Sequence, residues 1–172
     1  MLERFKPKPE DATRVSVESL REVVSAIFEK MGVSGEDANE AADVLTMTDL
    51  RGVETHGVSN MLRAYVKQYN EGGLNPRPNW RILRESRGTA TIDADQGLAV
   101  ILGPMAKRMA IDKAKQVGVG VVVMHNAGHS GGIGHHAMLA AKADMVGMVM
   151  TGAGYSVVPT FASEPRLGTN PI

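Results

Sequence analysis

The chain has 172 residues, 43% hydrophobic and 22% charged, an ordinary globular composition that suits one domain or a domain with an appendage. Lysine plus arginine equals aspartate plus glutamate at 19 each, so the charge balance favours neither nucleic acid nor an anionic membrane as partner. There is no cysteine, which excludes disulfides, thiolate metal sites and a cysteine nucleophile, and no apolar run approaches the ~20 residues of a transmembrane helix.

Residues 1–14, MLERFKPKPEDATR, are charged and contain proline, with no apolar stretch of the kind a secretory signal needs. They are expected to form a tail on a soluble, cytoplasmic protein. A first helix is predicted from Ser16, a plausible N-cap, to a stop at Gly32, with Val15 and Leu20 as a hydrophobic staple. Leu20, Val23, Val24, Ile27 and Met31 form its apolar stripe. A second helix opens on a capping box, Ser34 to Asp37, and breaks near Gly52. A third carries Met61, Leu62, Tyr65, Val66 and Tyr69 on one side and ends at Gly72 and Gly73, before NPRP. With 11 methionines and only 4% aromatics, methionine and small residues are expected to fill the helical core.

The pattern changes after Pro78. WRILRE and TATIDA predict two short strands, and a helix follows to Val117 with Pro104 near its first turn. GVGVVVMH predicts a buried strand, apolar on both sides. A glycine-rich loop, a short helix HHAMLAAKAD and a further strand MVGMVMTG complete the pass. The expected plan is α/β: a tail over 1–14, a helical part over 15–78 and an α/β part over 79–172.

Four of the five histidines fall in HNAGHSGGIGHH, residues 125–136, and three explanations compete for that loop. A metal is disfavoured: the stretch is too glycine-rich for His125 and His129 to share a helix face, and no carboxylate lies between His125 and Lys142. Adjacent His135 and His136 point about 100° apart on a helix. No metal is expected. A dinucleotide loop is suggested by G-x-G-x-x-A at Gly132, Gly134 and Ala137, but the strand after it ends without the carboxylate that would hold a ribose. The third explanation is one working histidine. His129 sits between Gly128 and Ser130, just past the carboxyl end of a buried strand, where open α/β sheets place ligands. An imidazole there can exchange a proton near neutral pH. A surface histidine in a turn explains the same residues equally simply.

Three motifs in order, R-G-x-x-[ST]-H-G at Arg51–Gly57, N-[AS]-x-H-x-G at Asn126–Gly131 and L-G-T-N-P at Leu167–Pro171, resemble the malate/L-lactate dehydrogenase family of type 2. The resemblance runs from about Val15 to the last residue, and the combination is far more specific than any one motif. It implies a helical N-terminal part followed by an α/β cofactor domain of non-Rossmann topology. It implies hydride transfer between NAD or NADP and a small 2-hydroxy or 2-oxo acid, with His129 as the general acid/base. His56 is implied beside substrate and nicotinamide. The implied cofactor contacts are His56, Gly128, Ser130, Gly131, Thr169, Asn170 and Pro171, with Thr55 on the substrate side. A substrate carboxylate calls for a cation, ideally a bidentate arginine. Many relatives carry arginine where this chain has Asn60. Arg63, almost a turn further along the helix, is the expected replacement, and Arg51 is a second candidate. His135 and His136 are expected to pack or to line the rim.

Family members continue for roughly as long again beyond LGTNPI, so the chain is expected to be truncated within the cofactor domain. A missing C-terminal half or a complementary chain is the expected partner, in a homodimer, with no nucleic acid and no membrane. The alternatives are a catalytically incomplete fragment that acts only with a partner chain, a cyclic imino acid reductase of the same family and, more remotely, a metal-binding module.

Overall fold

The computed structural model describes residues 13–152 and 154–172. Most of the expected tail, residues 1–12, lies outside the described residues. Helix α1 spans Val17–Lys30, α2 Gly35–Leu50 and α3 Val58–Asn70, with a short 3-10 turn over Glu54–His56. Strands β1 (Arg81–Glu85) and β2 (Thr89–Asp93), helix α4 (Ala99–Val117), strand β3 (Val121–His125) and helix α5 (Ile133–Ala141) follow. No helix among the described residues is long and apolar enough to cross a membrane.

The helix ends are set by the predicted caps. Ser16 accepts a hydrogen bond from the Ser19 amide at 3.0 Å, and Ser34 accepts from the Asp37 amide at 3.2 Å. At the end of α1, Gly32 takes φ +93°. Its amide donates to Glu29 O and the Val33 amide donates to Phe28 O, the pair of bonds that closes a Schellman turn. The apolar stripe of α1 keeps Val24 buried and Leu20, Ile27 and Met31 half-buried as expected, but Val23 is 57% exposed and Phe28 is buried in addition.

β1 and β2 form an antiparallel hairpin, and β3 pairs parallel to β2 after the α4 crossover, giving the order β1-β2-β3. One hydrophobic core joins Val24 and Phe28 of α1, Val44 and Leu45 of α2, Tyr65 of α3 and Val100 of α4. It therefore draws on residues from both sides of the expected boundary at 78/79.

Three expectations need correction. The segment 145–152 is extended, with residues 145–150 alternating in exposure, but it forms no ladder among the described residues. Gly147 is pressed onto α5 instead: a Cβ there would lie 2.2 Å from Ala137 O. β3 is not covered on both sides, since Val121 and Val123 are exposed. Pro104 lies inside α4, beyond its first turn, so its ring removes the amide that would have bonded the Val100 carbonyl.

Candidate active site

The loops after β2 and β3 leave the sheet at its carboxyl end and are laced together through their backbones. Ala94 N donates to His125 O at 3.0 Å, Gln96 N to Asn126 O at 2.8 Å and Gly128 N to Gly97 O at 2.9 Å. The price is three left-handed residues that are not glycine: Asp95 (φ +50°), Gln96 (φ +58°) and Asn126 (φ +53°). Side chains hold these turns. Asp93 Oδ1 accepts from Asn126 Nδ2 at 3.0 Å and from the Asp95 amide at 3.1 Å. Those bonds, the one from Asn126 foremost, hold the Asp93 carboxyl below the usual carboxylate range.

The glycines of the 126–132 loop are explained by packing. A Cβ on Gly128 would meet Leu74 at 2.5 Å, and one on Gly132 would meet Thr48 at 2.7 Å. Gly131, at φ +65°, faces Val100 at 2.9 Å. The amide of Val100, in the first turn of α4, is already taken by His129 O at 3.1 Å. The loop is thus pressed against α2 and α4 and leaves no open cradle for a phosphate at Gly128 or Gly131.

His129 stands out from this packed loop. The residue is exposed, while its Nδ1 faces inward. Nδ1 lies 2.7 Å from Tyr65 Oη, and the Gly131 amide donates to it at 3.1 Å. The ring stacks on His56, with centroids 5.6 Å apart and planes 21° apart. Burial of part of the ring, and then the neighbouring His56, lower the His129 pKa from its ordinary value.

His56 arrives on the 3-10 turn between α2 and α3. Thr55 Oγ1 lies 2.9 Å from His56 Nδ1. Asn60 Nδ2 donates to Glu54 O at 2.7 Å, which ties α3 back onto that turn. Asp49 caps α3 from outside, accepting from the Val58 amide at 2.9 Å. It reaches that amide only because residue 57 is glycine: a Cβ there would sit 1.6 Å from Asp49 Oδ1. Burial raises the Asp49 pKa.

The structure therefore brings together His129, His56, Thr55 and Asn60, along with Tyr65, which the sequence offered only as an apolar-stripe residue. It does not bring Arg63 to them. Arg63 is two residues from Tyr65, about 200° round the helix, in a surface groove with Ile27, Leu62 and Val66. Arg51 follows α2 as its C-cap and is exposed, with its charge felt by His135. His135 and His136 are buried within the fold rather than at a rim. His136 Nε2 lies 2.9 Å from Ser130 O, which buttresses the loop from behind. Thr169, Asn170 and Pro171 are exposed beside Thr151, whose amide donates to Pro171 O at 3.2 Å. No cluster of three or more potential metal-ligating side chains exists among the described residues.

The malate/L-lactate dehydrogenase family model matches residues 15–172. The malate dehydrogenase of Pyrococcus horikoshii is 42% identical over 95% of this chain and 45% of its own length. Its solved structure superimposes with a TM-score of 0.89, over 92% of this chain and 45% of that one. The sulfolactate dehydrogenase of Methanocaldococcus jannaschii superimposes at 0.87 with 39% identity, over 91% of this chain and 45% of that one. The ureidoglycolate dehydrogenase (NAD(+)) of Escherichia coli K12 is 31% identical over 92% of this chain and 45% of its own. The chain thus spans a little under half the length of these relatives.

Proposed function

From the premise that this chain belongs to the malate/L-lactate dehydrogenase family, we propose that it carries the proton-handling half of an NAD(P)-dependent oxidoreductase acting on a small 2-hydroxy acid. The named substrates of the relatives, malate, sulfolactate and ureidoglycolate, all share a hydroxyl on the carbon next to a carboxylate. The observation that carries the reading is His129: an exposed imidazole at the carboxyl end of the sheet, with one nitrogen anchored inward and the other left for a ligand. Such a group can give a proton to the carbonyl oxygen of a 2-oxo acid and take one from the hydroxyl of a 2-hydroxy acid.

NAD(P), when bound, supplies or takes the hydride. The glycine loop does not fit it as a phosphate cradle, because Gly128, Gly131 and Gly132 are filled against Leu74, Val100 and Thr48. The remaining proposed contacts are His56, stacked on His129, and the exposed Thr169–Pro171 segment. The proton chemistry belongs to His129, whose pKa is held below its ordinary value by partial burial first and by the neighbouring His56 second. Arg51 is the stronger proposal for the substrate carboxylate, since Arg63 faces away from His129.

The test is His129→Asn, assayed with a panel of 2-hydroxy acids and both cofactors. Turnover should fall by roughly 100-fold or more. Near-full turnover in the variant overturns the assignment.

A further inference from the structure

Tyr65 is fully buried, wedged among Phe28 and the core of α1 and α2, yet its hydroxyl leaves that core at one point. It lies 2.7 Å from His129 Nδ1. The Gly131 amide donates to the same nitrogen at 3.1 Å. An amide N–H can only donate, so Nδ1 accepts, and the Tyr65 hydroxyl donates to it as well. The hydrogen of neutral His129 is therefore on Nε2, the outward nitrogen.

Protonation changes what Nδ1 needs. The charged ring carries a hydrogen on both nitrogens, and the new Nδ1–H points into a packed interior. Gly131 cannot receive it. The Tyr65 oxygen can, once its own hydrogen turns aside. A carboxylate in this place would favour the cation strongly, whereas an apolar group would leave the cation without a partner. A hydroxyl serves both states and favours neither with a full charge.

We propose that Tyr65 is the positioning residue of His129: its hydroxyl donates to the neutral ring and accepts from the charged one, so that the imidazole keeps one orientation through a cycle of proton transfer. The proposal rests on His129 being the acid/base of the site. Among the described residues, the titratable groups facing His129 are Tyr65 from α3 and His56 from the 3-10 turn. Helices α2 and α4 present Val44, Thr48, Leu98 and Val100 to its loop, and Asp49 at the end of α2 is committed to the Val58 amide.

Tautomer and titration are both read directly by long-range proton–nitrogen correlation spectra of the nitrogen-labelled chain, with His129→Asn identifying the signal. The expected result is a neutral His129 protonated on Nε2. Tyr65→Phe should lower its pKa by about one unit, because the buried Nδ1–H of the cation then has no acceptor. Tyr69→Phe, one turn along on the same helix and with a hydroxyl that bonds nothing, should leave the titration unchanged. A neutral wild-type ring protonated on Nδ1 overturns the proposal, and so does a Tyr65→Phe titration identical to wild type. The wild-type tautomer decides the matter even if Tyr65→Phe does not fold. The readout needs no substrate, so an absence of dehydrogenase activity would count against the proposed function without altering this result.

Discussion

His136 shows how much of the histidine cluster serves structure. Its Nε2 donates to the Ser130 carbonyl, while its Nδ1 is buried with no partner. Burial pushes its pKa down to about 4. The folded chain therefore keeps His136 neutral at pH values where the unfolded chain, with an ordinary value near 6.5, takes up a proton. The unfolded state binds more protons in that window, so stability is full above about pH 6.5 and drains away as pH falls towards 4. The loss is on the order of 3 kcal/mol. His135 adds to it with the same sign, because burial lowers its pKa against the pull of Asp43. Urea midpoints measured across that range should fall steadily in the wild type and much less in His136→Gln; equal slopes would contradict the account. The motif histidines were legible because glycine and histidine crowd together in the sequence. Tyr65 was not. Helical periodicity marks it as a core position but cannot say which core hydroxyl meets a loop 64 residues later. Gly57 and Asp49 were hidden for the same reason, since their contact is made only by the turn between two helices.

At the level of elements, helix limits were the most readable feature because their signals are local. A serine that caps and a glycine that reverses the chain act within four residues, and Ser16, Gly32 and Ser34 all do so here. A strand is a pairing rather than a local state, which is why the apolar run 145–152 predicted a strand that the described residues do not pair. Glycines mark where elements touch. Gly120, just before β3, has its hydrogen against α4, and a Cβ there would lie 1.8 Å from the Ala110 carbonyl oxygen. That oxygen is backbone and cannot swing aside. Gly120→Ala should therefore push β3 off α4 and cost more than ~2 kcal/mol, seen as a lower urea midpoint. Because β3 leads into the His129 loop, the same change should disturb the His129–Tyr65 contact. An unchanged midpoint would show that α4 and β3 have slack between them.

On the scale of the whole molecule, the helical side closes its core and the sheet side does not. Helix α4 covers one face of the sheet through Ala90 and Ile92, which are buried. The other face is open: Val121 and Val123 project from β3, and all of β1 is exposed. The extended segment beyond α5 adds Val146 at 99% exposure and Met148 and Met150 at 63% and 65%. Among the described residues, β3 is an edge strand of the three-stranded sheet, and segment 145–152 pairs with no strand. Apolar surface of this kind, bordered by free backbone groups, favours association over solvation. The 172-residue chain is accordingly expected to sediment as a dimer or a larger species at micromolar concentration and to bind an apolar dye while retaining its helices. Substituting Val121 and Val123 with threonine keeps the branched shape a strand prefers while removing apolar surface, so it should weaken both effects without loss of helix content. A monomer that melts cooperatively and leaves the dye unbound would mean that these valines and methionines cover one another in solution.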